Sequence, residues 1–264
     1  MLKKLIKYDF IWVIKLVVIF IILGLSFAII GRLFSLIPDS FFFDLLSKIC
    51  NGTALSLLIS AMINAIMRSW ARLTVNLFKD ESYLTHTLPV DKLSQYLSKV
   101  LTLILSIVIT FVVLFIGLII MYYSKETFEA IKSSLNIISD TLNSSVFGLI
   151  LIVALLVLLE FTFMGACGNF GIIYGNTFNQ KKMVKSIIYG IISYAVISIF
   201  SLVILLIASL FSDGVKGLLF GGSTIIDISI MKTIMWCCIG LYFIFNIVLF
   251  TISYKIFKKG VNID

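Results

Sequence analysis

The sequence predicts an all-α polytopic membrane protein, a single transmembrane domain over residues 1–264 with six membrane-spanning helices. Three observations carry this. Hydrophobic residues make up 61% of the chain and charged residues only 13%, against about 25% charged in a soluble globular domain. Mean hydropathy is +1.15, and runs of about 20 apolar residues, the length that crosses the hydrocarbon as a helix, recur along the chain. Strand-like alternation is absent and the chain has two prolines, so the spans are expected to be helices and not barrel strands.

Residues 1–10 come first. The start "MLKKLIKYDF" is basic, and Leu2, Leu5, Ile6 and Phe10 can face acyl chains while Lys3, Lys4 and Lys7 face water. This predicts an interfacial elbow helix over 2–10, with Tyr8 and Trp12 in the interface belt. A basic start followed by an apolar core also resembles a cleavable leader. The apolar run continues past Ala28 to Ile37, so the segment is expected to stay as the first span.

The spans are expected at about 11–37, 52–75, 96–123, 146–174, 184–211 and 232–256. Between the second and third lies "FKDESYLTHTLPVDK", residues 78–92, with the single histidine, His86, and one of the prolines, Pro89. A short helix is expected over 81–88, capped by Asp80. Tyr83, Leu84, Thr87 and Leu88 share one side of its wheel; Thr85 and His86 lie on the other. Pro89 ends it, because the residue before a proline disfavours the α region. Asp91 can then cap the helix that enters the third span. An exposed apolar side on a rigid knob suits a protein partner.

Segment 124–145 carries Phe128, Ile131, Leu135, Ile138 and Leu142 at three- and four-residue steps, which predicts an amphipathic helix capped by Ser124. It packs at the interface or forms a lid over an exit. In the fourth span Glu160 is the one acid well inside a hydrophobic run. An intramembrane acid usually faces a bundle interior, a cavity or a partner, which makes Glu160 the candidate on a translocation path, or else a structural contact. The following "GACGNFGIIYG" places Gly165, Gly168, Gly171 and Gly175 at three- and four-residue spacing, a pattern for close helix approach, within the subunit or at a dimer seam.

Charge orients the spans. Lys3, Lys4, Lys7, Lys15, Arg68, Arg72, Lys79, Lys92, Lys99, Lys181, Lys182, Lys185, Lys255, Lys258 and Lys259 fall on one side, and Arg32, Lys48, Lys125, Lys132, Lys216 and Lys232 on the other; 15 and 6 make up the 21 basic residues. The positive-inside rule puts both termini and segment 78–92 in the cytoplasm. The net charge of +8 is thereby a topology signal, and no nucleic-acid partner is expected.

Catalytic signals are weak. "GLLFGGST", 217–224, has the glycine spacing of a phosphate-binding loop but lacks its lysine, and is read as a flexible outer turn. Cys50, Cys167, Cys237 and Cys238 show no metal-ligand spacing and are read as small hydrophobes. One histidine without a neighbouring ligand predicts no metal site and no nucleophilic centre. The chain itself is expected to be no enzyme and to hold no cofactor.

"DESYLTHTLPVDKLSQYLSK" (80–99) resembles the intracellular segment of type-2 ABC transporter permeases of Gram-positive bacteria, and "LIKYDF" (5–10) is similar to the opening of the same family. The resemblance implies that 80–89 is a coupling helix, with Glu81, Tyr83, Leu84, Thr85, His86, Thr87, Leu88 and Pro89 docking on a separate ATP-binding subunit. It also implies two such subunits holding ATP and Mg, a second permease that is a copy or a paralogue, a bacterial plasma-membrane location, and export of amphipathic or antimicrobial peptides or lipophilic drugs. Two rivals stand beside this: a proton-coupled secondary transporter using Glu160, and a non-transporting anchor or intramembrane enzyme.

Overall fold

The computed structural model describes residues 1–37, 41–87, 89–141, 145–211, 213–220 and 228–260, and among them there is no strand. In chain order the helices are α1 (Leu2–Ser35), α2 (Phe41–Phe78), α3 (Ser82–Thr87), α4 (Lys92–Tyr122), α5 (Lys125–Thr141), α6 (Val146–Gly175), α7 (Lys182–Phe211), α8 (Asp213–Phe220) and α9 (Ile228–Lys259). Six of them, α1, α2, α4, α6, α7 and α9, are long and apolar enough to cross a bilayer. The chain is a multi-pass helical membrane protein.

Two compact units emerge, one running from Met1 to Phe128 and the other from Glu129 onward. In the first, α1, α2 and α4 pack mutually. The buried residues of α1 (Val13, Val17, Gly24, Ala28, Gly31) and of α2 (Ser47, Asn51, Ala54, Leu58, Ala61, Ala65, Ser69) recur at three- and four-residue steps, the rhythm that keeps one seam facing a neighbouring helix. Many are small, as suits helices that gain nothing from exchanging lipid for Leu. The inner side of α4 carries Ser98, Thr102, Ser106 and Thr110 at steps of four, all buried, so the interior of this unit is more polar than its lipid-facing surface.

The expected elbow is not a separate element. The helix runs unbroken from Leu2 to Ser35, because no Gly or Pro interrupts 2–23 and Asp9 on its inner side is held by neighbouring helices. α2 likewise begins eleven residues before the expected 52, at Phe41, with an Asp44–Lys48 pair of 2.7 Å in its early turns. Lengths then locate the hydrocarbon. At 1.5 Å per residue, Lys15 to Arg32 spans about 26 Å and Lys48 to Arg68 about 30 Å, close to the hydrocarbon thickness. The early turns of α1, the last turns of α2 and the first turns of α4 therefore extend beyond it on one side.

In the second unit α6 packs against α7 and α9. Its core gathers Phe163, Ala166, Cys167 and Leu249, with Phe170, Tyr242 and Phe245 packed around them. The glycine run works within this unit. A Cβ at Gly171 would run into the backbone of Ser186 and Gly190, and one at Gly175 into Ser186, so α6 and α7 meet there backbone to backbone. All four cysteines are free thiols. Residues 217–220 belong to helix α8 and not to a flexible turn, because this stretch sustains helical hydrogen bonding; 221–224 lie outside the described residues.

Candidate functional site

The 78–92 segment is organised around a buried group of charges at one end of the first unit. Asp9, only 2% exposed, accepts from three side chains. Arg72 Nε donates to Oδ1 at 2.8 Å, Lys99 Nζ reaches both oxygens at 2.7 Å, and the Ser98 hydroxyl donates to Oδ2 at 2.9 Å. Lys99 is itself 5% exposed. Arg72 is shared: its Nη1 donates to Glu81 Oε2 at 2.6 Å, and Asn76 Nδ2 donates to the same oxygen at 3.0 Å. Two acids and two bases thus form one neutral group that joins α1, α2, α4 and the residue leading into α3. Burial of the Glu81 carboxyl works against its ionised form, but the Asn76 hydrogen bond and the Arg72 charge outweigh it and hold the group below the ordinary glutamate value.

Helix α3 sits on this base. The Ser82 N–H donates to the Lys79 carbonyl at 2.7 Å and the Thr85 N–H to the Glu81 carbonyl at 3.0 Å. The flanking residue is therefore Glu81 and not Asp80, which is exposed; the tight turn at Lys79 shifts the helix start by one residue. Ser82 and Thr85 face inward and are buried, and His86 Nε2 lies 3.2 Å from the Leu77 carbonyl oxygen. Tyr83 and Leu84 face outward at 77% and 67% exposure, and Thr87 is exposed with them. This is the two-sided division the helical wheel gives. Leu88 lies outside the described residues. Pro89 follows the helix in an exposed bend. Gln95 holds the return: its Nε2 donates to the Thr85 carbonyl at 3.0 Å and the Val90 carbonyl at 3.3 Å. Asp91 occupies the N-cap position of α4 but makes no side-chain capping bond.

These facts narrow the expected docking set. Glu81, Thr85 and His86 hold α3 to the bundle, whereas Asp80, Tyr83, Leu84, Thr87 and Pro89 are open to a partner. No family model, no curated protein and no solved structure matches this chain.

Asp9, Arg72, Asn76, Gln95 and Lys99 belong to this buried polar group and its surroundings, and the sequence reading missed them or treated them as topology charges. One signal for Asp9 was available: it precedes Val13 and Val17 at four-residue steps, on the buried line of α1.

Glu160 occupies the middle of α6, half-buried, on the same helical side as Phe163 and Cys167. Phe163 packs against Tyr194 and Tyr242 at 5.7 and 5.6 Å between ring centroids. Asn246, one turn beyond Tyr242 on α9, donates to the Leu159 carbonyl at 3.3 Å. Among the described residues Glu160 makes no hydrogen bond or ion pair. The expected amphipathic helix is α5, with Phe128 and Ile131 about half exposed and Phe128 6.1 Å from Tyr123, ring to ring; the side chain of Ile138 and all of Leu142 lie outside the described residues. No group of three or more His, Cys, Asp or Glu among the described residues is arranged for a metal.

Proposed function

We propose that the chain is the membrane subunit of an ATP-driven exporter of the type-2 ABC permease kind, with both termini and α3 on the cytoplasmic side of a bacterial plasma membrane. One observation carries the reading. A six-residue helix offers an aromatic and a leucine to water, while its inner side is tied by Glu81, Arg72, Asp9 and Lys99 to the ends of three long helices. Exposed apolar anchors of this kind bind proteins. A rigid base lets force applied at α3 reach α1, α2 and α4 together. The resemblance of 80–99 to permease intracellular segments supports the same reading, and the partner would then be an ATP-binding subunit, in two copies beside two permeases, that supplies the ATP and Mg. The cargo is an amphipathic peptide or another lipophilic molecule.

The test is co-purification and ATPase rate in reconstituted bilayers with any ATP-binding subunit found encoded beside this chain. Tyr83→Ala with Leu84→Ala should leave insertion intact and abolish either capture of that subunit or cargo-dependent ATP hydrolysis. Truncating an anchor costs more than about 1 kcal/mol, often 2 or more. Retention of both at the unmutated level removes the reading. A second reading, proton-coupled transport, is favoured only by the unpaired Glu160; it requires transport without any ATPase that Glu160→Gln abolishes.

A further inference from the structure

Arg68 and Arg72 lie one turn apart on α2 and are treated differently by the fold. Arg72 takes both nearby carboxylates, Asp9 and Glu81. Arg68 receives none: among the described residues no acid lies within ion-pair reach of it. Its guanidinium is nevertheless fixed in place. It lies over the Trp12 ring, 3.8 Å from the centroid, and Nη2 donates to the Trp12 carbonyl at 3.2 Å, while Nε is buried without a partner. Lys15 is exposed on α1 and likewise has no acid partner among the described residues. Tyr8, Trp12 and Lys15 stand at i, i+4 and i+7, one side of the helix, and Tyr8 is exposed.

Depth decides what meets these two charges. Lys15 and Arg68 mark the same edge of the hydrocarbon in the length argument above, and Tyr and Trp beside them suit the interface. Ile19 and Ile22, exposed on α1 beyond Lys15, are positioned for acyl chains. We propose that Tyr8, Trp12, Lys15 and Arg68 form a binding site for the headgroup of an anionic phospholipid, whose phosphate supplies the counter-charge that the described residues do not offer there and whose tails lie along Ile19 and Ile22. Free phosphate shares the charge chemistry but has nothing to place on the isoleucines, so the lipid is the occupant. The inference depends on the membrane depth of α1 and α2 and not on the exporter reading.

The test uses the purified full chain in a neutral detergent, titrated with phosphatidylglycerol, phosphatidylcholine or inorganic phosphate and read by native mass spectrometry. Phosphatidylglycerol should be retained in preference to phosphatidylcholine. Lys15→Gln and Arg68→Gln should each weaken that retention about five-fold, and the two together about thirty-fold. Lys79→Gln, an exposed lysine at the same end of the unit, should change nothing. Lys15→Gln leaves the Arg68–Trp12 contact untouched, so it tests the site even if Arg68→Gln fails to fold. Equal retention of the two lipids, an equal loss in Lys79→Gln, or displacement of phosphatidylglycerol by inorganic phosphate would each overturn the proposal.

Discussion

Asp9→Asn is the sharpest probe of the buried charge group. The substitution keeps the shape of the side chain and removes its charge. Three partners are affected: Arg72, Lys99 and Ser98, at 2.7–2.9 Å. Hydrogen bonds to a charged group contribute about 1.5–3 kcal/mol each, but the larger effect is what remains. Arg72 keeps Glu81. Lys99, 5% exposed, is left without its one ion-pair partner among the described residues. Removing one member of a buried pair costs about 3–5 kcal/mol, which for a chain of this size corresponds to a fall of roughly 6–20 °C in Tm on the scale of soluble domains. The reverse substitution, Lys99→Met, should cost less, because Asp9 retains Arg72 and Ser98. The double variant should recover part of the Asp9→Asn loss, since no charge is then stranded. The assay is thermal unfolding in detergent, followed by tryptophan fluorescence, for the four proteins of this cycle. A Tm for Asp9→Asn within about 3 °C of the unmutated chain, or strictly additive effects, would refute the reasoning.

Other expectations concern the same features. Glu81→Gln should cost no more than about 1 kcal/mol at neutral pH, because the carboxyl is 40% exposed and screened. Its native value lies below the ordinary 4.5, so its contribution is present above 4.5 and is lost as the pH falls through that lowered value; the stability gap between the two proteins should close in the acid range. Gly171→Ala should destabilise by about 1–3 kcal/mol, since the added Cβ meets the α7 backbone, whereas Gly52→Ala, with nothing within 4 Å of the new carbon, should be neutral or mildly stabilising; thermal melts of the two variants decide. Single cysteines at Asp80 and Ser133 should react with impermeant thiol reagents from opposite sides of the membrane, Asp80 from the cytoplasm, as the positive-inside asymmetry requires.

Much of this molecule was legible before any fold was known. Hydropathy is a property of each side chain in turn, and summed over 20 residues it outweighs context; all six spans therefore appear, the last four within four residues of their observed bounds, while α1 and α2 begin nine and eleven residues earlier than expected. The short helix before Pro89 is also local, because Pro restricts its predecessor and a six-residue wheel has few ways to turn, so Tyr83 and Leu84 point outward as read. What the sequence could not show is which polar groups find one another. Asp9 and Lys99 are separated by 90 positions, and read alone each looks like a charge at the membrane edge. Only the packing of α1 against α2 and α4 brings Asp9, Arg72 and Lys99 within 3 Å, gives Glu81 to Arg72, and leaves Arg68 and Lys15 without an acid among the described residues. In a chain so uniformly apolar, side-chain hydropathy says that a helix enters the bilayer; the small residues that let backbones approach, and the few charges that must be paired when they do, decide how the helices are turned once inside.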